Sequence, residues 1–476
     1  MPDTTTSPPP SPATTAVSGK ALWLTLLVVL VADGLDLMDA TITNIAAPAI
    51  VADIGGGPAL VKWLGAAYAL ALGSMLVLGG RLGDRYGQRR VFLVGMAGFT
   101  LASAAAGLSP NPAVLVAARV VQGGFGALLI PQGMAIMTRT FSREALAKAF
   151  AAFGPMLGIF GVGGPILGGF LIDANLLGLE WRPVFLVNVV LGALGLLLAL
   201  RVLPTVAADR SARIDAVGSV LLAGAMFGLL FGLVQGSTNG WTAAPVGSLV
   251  VAVVLAAAFT RRQLTTAVPL ITPSLFTNRG FTSGVVAGLL VFAAFNGLMY
   301  VISLFFQLGL GYSPLHAALS LLPLTAGIIL GAGACMALVA RLGRSLVLAG
   351  LLTCASGAGL LLLVVRTAGL GATGWQLALV TLLIGVGAGT CFGSIFDTAL
   401  GDIAPDEAGA ASGSLSAVQQ IAAGVGSAAV TSVYFGHLAT SQVGAMTASL
   451  VVVLGIVALC LLAVPLLPRK AAALEH

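Results

Sequence analysis

Gly80-Arg-Leu-Gly-Asp84-Arg85-Tyr-Gly87-Gln-Arg89-Arg90 stands between two apolar runs, 59–79 and 91–109. Each run has about the 20 residues that carry a helix across a hydrocarbon core of roughly 30 Å. A connector this short and this basic joins two antiparallel crossings on one side of a membrane. Its glycines allow a tight turn and close helix approach. Asp84 can pair locally or cap the following helix, and the arginines anchor the turn at the interface.

The same pattern extends over the chain. Fourteen apolar runs are legible: 21–47, 59–79, 91–109, 112–138, 145–172, 183–203, 214–235, 243–260, 280–309, 315–340, 345–366, 374–398, 408–435 and 443–466. Barrel strands would be about ten residues of alternating polarity, and these runs are neither. Only 8% of the 476 residues are charged and 58% are hydrophobic, against roughly 25% charged in a soluble domain. A soluble surface cannot be clothed from this composition, and an all-α integral membrane protein follows. Residues 1–20 read as a polar cytoplasmic tail ahead of a first crossing, with no cleaved signal peptide expected. Residues 471–476 (AAALEH) read as a tag remnant.

Charge placement gives the orientation. With a cytoplasmic N-terminus, 18 of the 22 Lys and Arg residues fall in cytoplasmic loops and tails, and only Lys62, Arg182 and Arg366 in outer loops. That asymmetry places both termini in the cytoplasm and uses up the net charge of +6 without nucleic acid. His316 and His437 fall in outer loops. Cys335, Cys354, Cys391 and Cys460 lie in apolar runs without metal-ligand spacing, so neither a disulfide nor a metal site is expected.

Two echoes recur eight crossings apart: RLGDRYGQRRVFLVG (81–95) against RLGRSLVLAG (341–350), and GVGGPILGG (161–169) against GVGSAAVTS (424–432). The arrangement this predicts is two six-helix pseudo-symmetric halves, 21–205 and 266–468, with an inserted pair of helices at 206–265. Repeated halves around a midplane site are the plan of secondary transporters. The inserted pair carries no acid beyond Asp215 and reads as a peripheral, lipid-facing hairpin.

Charges inside the crossings carry the chemistry. Asp33, Asp36 and Asp39 lie in the first. Each would cost roughly 2.5–3.5 kcal/mol at a lipid-exposed helix centre, so they face a polar cavity or the bundle interior. Arg119 is the basic residue deep in the fourth crossing, about 10 Å in, and Asp39 lies about 12 Å from its own exit. An Asp39–Arg119 pair is therefore geometrically open, either static or able to load and release a proton. Candidate cavity residues are Asn44, Trp63, Tyr68, Gln122, Phe292, Phe295, Asn296, Phe305 and Gln307. An apolar pocket with few polar groups suits amphiphilic ligands.

The 80–90 connector resembles the GxLaDrxGrkxxl signature of the major facilitator superfamily, and the resemblance extends over about residues 20–466. It implies a latch between the halves in the outward-facing state, built on Gly80, Asp84, Arg85, Gly87, Arg89 and Arg90. LVAARVVQGGFGA (115–127) resembles the helix-4 motif whose arginine, here Arg119, is linked to proton transfer. Gly164-Pro165-Ile-Leu-Gly168-Gly169 resembles the helix-5 motif of exporters. MDATITNIAAPAI (38–50) and WRPVFLVN (181–188) resemble LDxTIVNVALP and WRWIFLIN of the 14-helix drug:proton antiporters.

Departures are also legible. Ala47-Pro48 replaces Leu-Pro, Asp33 and Asp36 are extra acids, and the second half lacks both an arginine in 385–393 and the helix-5 Gly-Pro. Asp397 is either a second acid on the path or an interfacial neighbour of Asp402, Asp406 and Glu407. The resemblance implies a multi-pass protein of the bacterial cytoplasmic (inner) membrane, a monomer. It would exchange protons for hydrophobic, in part cationic, small molecules, conferring antibiotic resistance. It would be driven by the proton gradient without a cofactor. A dedicated exporter of one secondary metabolite, amino acid or lipid would look the same. An enzyme would need convergent catalytic sets, and no Ser/His/Asp set is apparent.

Overall fold

A computed structural model describes residues 19–141, 143–205, 215–267, 269–270, 273–400, 403 and 408–468. Asp402, Asp406, Glu407, Arg210 and Arg213 lie outside them, as do residues 471–476, and so does the Asp397 side chain. Among the described residues the chain is almost wholly helical. The first helices are α1 (Gly19–Ile54), α2 (Gly57–Tyr86), α3 (Gln88–Gly107), α4 (Pro112–Thr140), α5 (Arg143–Asp173) and α6 (Pro183–Val202). Then come α7 (Ala216–Asn239), α8 (Ala243–Thr265) and the short α9 (Pro273–Thr277). The last are α10 (Arg279–Leu304), α11 (Pro314–Leu319), α12 (Leu322–Leu342), α13 (Arg344–Ala368), α14 (Gly374–Leu400), α15 (Ala408–Leu438) and α16 (Gln442–Ala463). Thirteen described segments are long and apolar enough to cross a membrane, α11 and α12 forming one of them. The run at 145–172 falls in α5, whose described apolar stretch is Ile159–Asp173.

Helix ends follow local chemistry. Asn111, Asn278 and Ser441 cap α4, α10 and α16 by accepting from backbone N–H groups in the first turn. Gly87, at φ 94°, makes the one-residue corner between α2 and α3, and Gly343, at φ 49°, makes the corner between α12 and α13. Both corners need a residue that tolerates positive φ. The first sequence echo therefore lands on two equivalent turns. α10 ends in a π-helical turn, Phe305–Gly309.

Neighbour relations repeat along the chain. α2 packs on α4, α3 on α4 and on α6, and α1 on α5 and α6. Likewise α12 packs on α14, α13 on α14 and on α16, and α10 on α15 and α16. α7 packs against α8 and also against α2 and α15, while α8 leaves Val250, Val251, Val253 and Val254 exposed. Lys62 is not in a loop. It lies on α2, fully buried, and donates to Thr238 Oγ1 of α7 at 3.0 Å. His316 and His437 also sit on helices, α11 and α15, His316 stacked on Tyr312 at 3.9 Å.

α1–α6 meet the later helices at the face opposite the described ends of the chain. Tyr300 Oη donates to the Val61 carbonyl at 2.7 Å, and Gln307 Nε2 to that of Ile45 at 3.2 Å. Ser313 Oγ donates to Asp173 Oδ2 at 2.7 Å. A Cβ on Gly169 would lie 2.6 Å from Leu315 Cα. The 80–90 loop, by contrast, ties α1–α6 together. Asp84 pairs with Arg139 of α4 at 3.5 Å, and Arg89 donates to the Leu200 carbonyl at 2.6 Å. Gly169→Val is expected to force α5 from α11. Spin labels at Leu177 and Leu319 should then report a longer distance than in the wild type; an unchanged distance would deny the contact its closing role.

α7 and α8 are joined by Asp215. It accepts from Gly218 N at 2.9 Å and Arg262 Nε at 2.7 Å. Burial pushes its carboxyl up, but the Gly218 N–H, Arg262 and Gln263 outweigh this and hold it below the ordinary value. A depressed acid contributes stability above its unfolded pKa, about 3.9, and loses it as pH falls through the folded value. Amide exchange in the first turn of α7 should therefore quicken below about pH 4, and Asp215→Asn, still a good cap, should flatten that response.

Candidate functional site

The three acids of α1 are three residues apart. At 3.6 residues per turn each step falls about 60° short of a full turn, so successive carboxylates face different neighbours. Asp39 faces α4 and α6. It is fully buried and ion-paired with Arg119, itself 1% exposed. Asp39 Oδ1 also accepts from Gln122 Nε2 at 2.8 Å and from Asn188 Nδ2 at 2.6 Å. Arg119 Nη1 donates to Gln122 Oε1 at 2.7 Å, and Gln122 Nε2 reaches Ser103 Oγ of α3 at 2.8 Å. Four helices, α1, α3, α4 and α6, are thus tied at one level by a charge pair out of reach of water.

Asp36 faces α2 and accepts the Tyr68 hydroxyl. The Arg119 guanidinium lies 4.4 Å from the centre of the same Tyr68 ring and 5.7 Å from that of Phe185, a cation over aromatic faces in a dry site. Tyr68 therefore touches both Asp36 and the arginine of the Asp39–Arg119 pair. Asp33 is half-buried, and its Oδ1 is buried without a hydrogen-bond partner.

Small residues make this packing fit. A Cβ on Gly123 would lie 2.4 Å from the Tyr68 carbonyl oxygen, and one on Gly126 would crowd Tyr68 Oη and Asp36 Oδ1 at 3.1 and 3.2 Å. On α5, Gly164 faces Met38 and Thr41 and Gly168 faces Ile42. The Gly164-Pro165 segment therefore lies against the acid-bearing part of α1.

The remaining candidates are dispersed. Asn44 is half-buried and its carbonyl accepts from Ser303 Oγ at 3.3 Å. Gln307 belongs to the closed face, and Phe305 is buried in the π-helical turn. Asn296 Nδ2 donates to Phe292 O in its own helix at 2.9 Å. Phe292 stacks on Phe392 of α14, and Phe295 meets the same ring edge-on, both at 4.9 Å between centroids. Trp63 stands apart. With Leu60, Val116, Val120 and Phe227 it lines an apolar lateral groove of about 610 Å³ between α2, α4 and α7. Sequence reasoning missed Asn188, Ser103 and Phe392. For Asn188 a signal existed, the one amide inside the apolar run of α6.

The family profile of the Major Facilitator Superfamily matches residues 29–427. The chain belongs to that superfamily. A "Probable actinorhodin transporter" of Streptomyces coelicolor is 37% identical, over 92% of this chain and 78% of that protein. "Multidrug resistance protein Stp" of Mycobacterium tuberculosis is 33% identical, over 88% of this chain and 77% of its own length. Among solved structures, a POT family transporter in complex with 5-aminolevulinic acid superposes with a TM-score of 0.68. It is 17% identical and covers 94% of this chain and 96% of its own, a likeness of fold. The chain is thus a multi-pass membrane protein whose relatives are antibiotic and multidrug efflux or resistance transporters, which points away from an enzyme.

Breaking a buried pair by deleting one partner costs about 3–5 kcal/mol. Arg119→Ala should lose this much in unfolding from mixed micelles. Arg119→Lys should recover only part, because a point charge cannot serve Asp39 and Gln122 as a planar guanidinium does. An Arg119→Ala protein of wild-type stability would mean the pair contributes nothing.

Proposed function

We propose that this superfamily member is a proton-coupled antiporter that exports hydrophobic small molecules, lipophilic cations among them, by alternating access. The observation that carries this reading is the Asp39–Arg119 pair, sealed between apolar helices beside two further acids. Intramembrane acids are costly and mark proton or ion paths. Relatives named for antibiotic transport and multidrug resistance support the direction of export. Asp39, Asp36, Asp33 and Arg119 are the proposed proton-coupling groups. Tyr68, Gln122 and the Phe292, Phe295 and Phe392 cluster are the proposed polar and aromatic contacts of the path.

The proposed architecture is fourteen crossings in two six-helix halves, with α7 and α8 inserted between them. The repeated neighbour pattern, α2–α4 against α12–α14 and α1–α5 against α10–α15, supports it. Cytoplasmic termini and arginine-bearing connectors are supported by the positive-inside rule, and the bacterial inner membrane is the proposed location. The closed face is then the outer one, and the partners are protons, substrate and bilayer, with no cofactor and a monomeric chain. Each proton entering through 100 mV supplies roughly 2.3 kcal/mol, and each pH unit adds about 1.4. Together these drive more than tenfold accumulation per proton.

A second reading is export of a single secondary metabolite, favoured by the 37% identical relative named for one. Proteoliposomes with an acidic lumen and a trapped pH dye separate the two. Lipophilic cations, neutral drugs and aromatic polyketides are added in turn. Proton release by several chemical classes is the expected result. Release by one class alone means a dedicated exporter, and substrate uptake with no proton movement rejects antiport.

A further inference from the structure

The carboxylates of α1 are not equivalent, and their surroundings divide the labour among them. This step rests on the antiport reading above. We propose that Asp36, rather than Asp39, is the carboxylate that takes up and releases the transported proton. Tyr68 is the positioning residue that ties its state to the Arg119–Asp39 cage.

Asp39 is committed as the counter-charge of Arg119. One of its oxygens is held by Arg119 and the other by Gln122 and Asn188, and it is wholly buried. A proton on Asp39 would leave the Arg119 guanidinium buried without its counter-charge. No polar group within the cage replaces that charge, and an orphaned buried cation is among the most destabilising defects. Asp39 is thus a fixed part of the cage.

Asp36 differs on each count. Its hydrogen-bond donor is a phenol, which can turn about its C–O bond to accept when the carboxyl becomes the donor. It is 8% exposed where Asp39 is sealed. Asp33, one turn towards the proposed cytoplasmic face, presents a buried oxygen with no hydrogen-bond partner. Asp33 and Asp36 thus stand one turn apart on α1, with Asp33 nearer the proposed cytoplasmic face. Among the described residues, the charged and titratable groups around Asp36 are Asp33 and Asp39 on α1, Tyr68 on α2 and Arg119 on α4.

Both protonation states of Asp36 keep a hydrogen bond to Tyr68. In uptake, an O–H bond forms on Asp36 as hydronium becomes water. In release, that bond breaks to water on the other face, with no change of oxidation state. Because the Tyr68 ring lies under Arg119 while its hydroxyl holds Asp36, neutralising Asp36 removes a negative charge from a side chain that also faces the guanidinium. The proton is thereby felt at the junction of α1, α2 and α4 without entering the cage.

The test is pH-difference infrared spectroscopy of the full chain in lipid nanodiscs, read at the protonated carboxyl band, and it needs no substrate. The wild type should show one buried carboxyl titrating across the physiological range. Asp36→Asn should abolish the band and Asp33→Asn should keep it. Tyr68→Phe should move its midpoint, a shift that a purely packing role for the ring would not produce. Should Asp36→Asn fail to fold, Asp36→Ser removes the same carboxyl. A band that survives in the Asp36 variants and disappears in Asp39→Asn or Asp33→Asn overturns the proposal, as does a wild type with no titrating carboxyl. Failure of the antiport reading is separate: it shows as substrate movement without protons in proteoliposomes, whichever carboxyl titrates.

Discussion

An arginine and an aspartate enclosed by apolar helices must find each other or not be there at all. In hydrocarbon neither charge can borrow water, and leaving one of them unpaired would cost several kcal/mol. Arg119 on α4 and Asp39 on α1 therefore fix the distance, rotation and depth of two helices at once. Gln122, Asn188 and Ser103 extend the constraint to α3 and α6. The first six helices are arranged as one body around that demand, and the face they offer to the later helices follows from it.

Close packing has to be reached by other means, because lipid tails are as apolar as leucine and supply no hydrophobic force between helices. Small residues do it here. A Cβ on Gly123, Gly327 or Gly385 would lie within 2.4 Å of a neighbouring backbone oxygen. Backbones can approach that closely only where side chains are missing. The same device recurs at Gly169, where a side chain would meet Leu315 of α11 across the two helix sets. Glycine-rich helices thus hold each set together and also let the sets meet closely, as where Gly73 of α2 lies against Gln420 and Gly424 of α15 against Leu70.

Much of this was legible beforehand, for physical reasons. Counting rise per residue from the ends of the apolar runs puts Asp39 and Arg119 at one level, and the two are in contact. The 80–90 turn needs a glycine at 87, and its φ of 94° shows why. What hydropathy could not give was direction around a helix. Lys62 was assigned to a loop because a cation near a helix end usually reaches water, yet Thr238 of α7 buries it. Trp63 was an equal candidate with Tyr68, five residues on, but half a turn separates the lateral groove from the acid cluster. Asn188 carries no charge that would force attention to it, and Phe392 is one aromatic among many apolar neighbours. Which partner such residues meet depends on tertiary packing between distant helices.

The asymmetry between the two helix sets is the feature that links this packing to transport. Where α1 meets α4 there is a buried ion pair; where α10 meets α14 there are Phe292, Phe295 and Phe392 in aromatic contact. The pseudo-equivalent positions carry opposite chemistry. On the antiport reading proposed above, this would separate the two cargoes, the proton on the charged side and the hydrophobic molecule towards the aromatic side. Phe292 is itself buried, so this contact is a packed apolar seam that makes no hydrogen-bond demand. The proton, which demands exact geometry, would on that reading stay among helices tied by the Arg119 cage. Broad substrate tolerance and tight proton coupling place contrary demands on a single site, and the proposed division between the two sets would relieve that conflict.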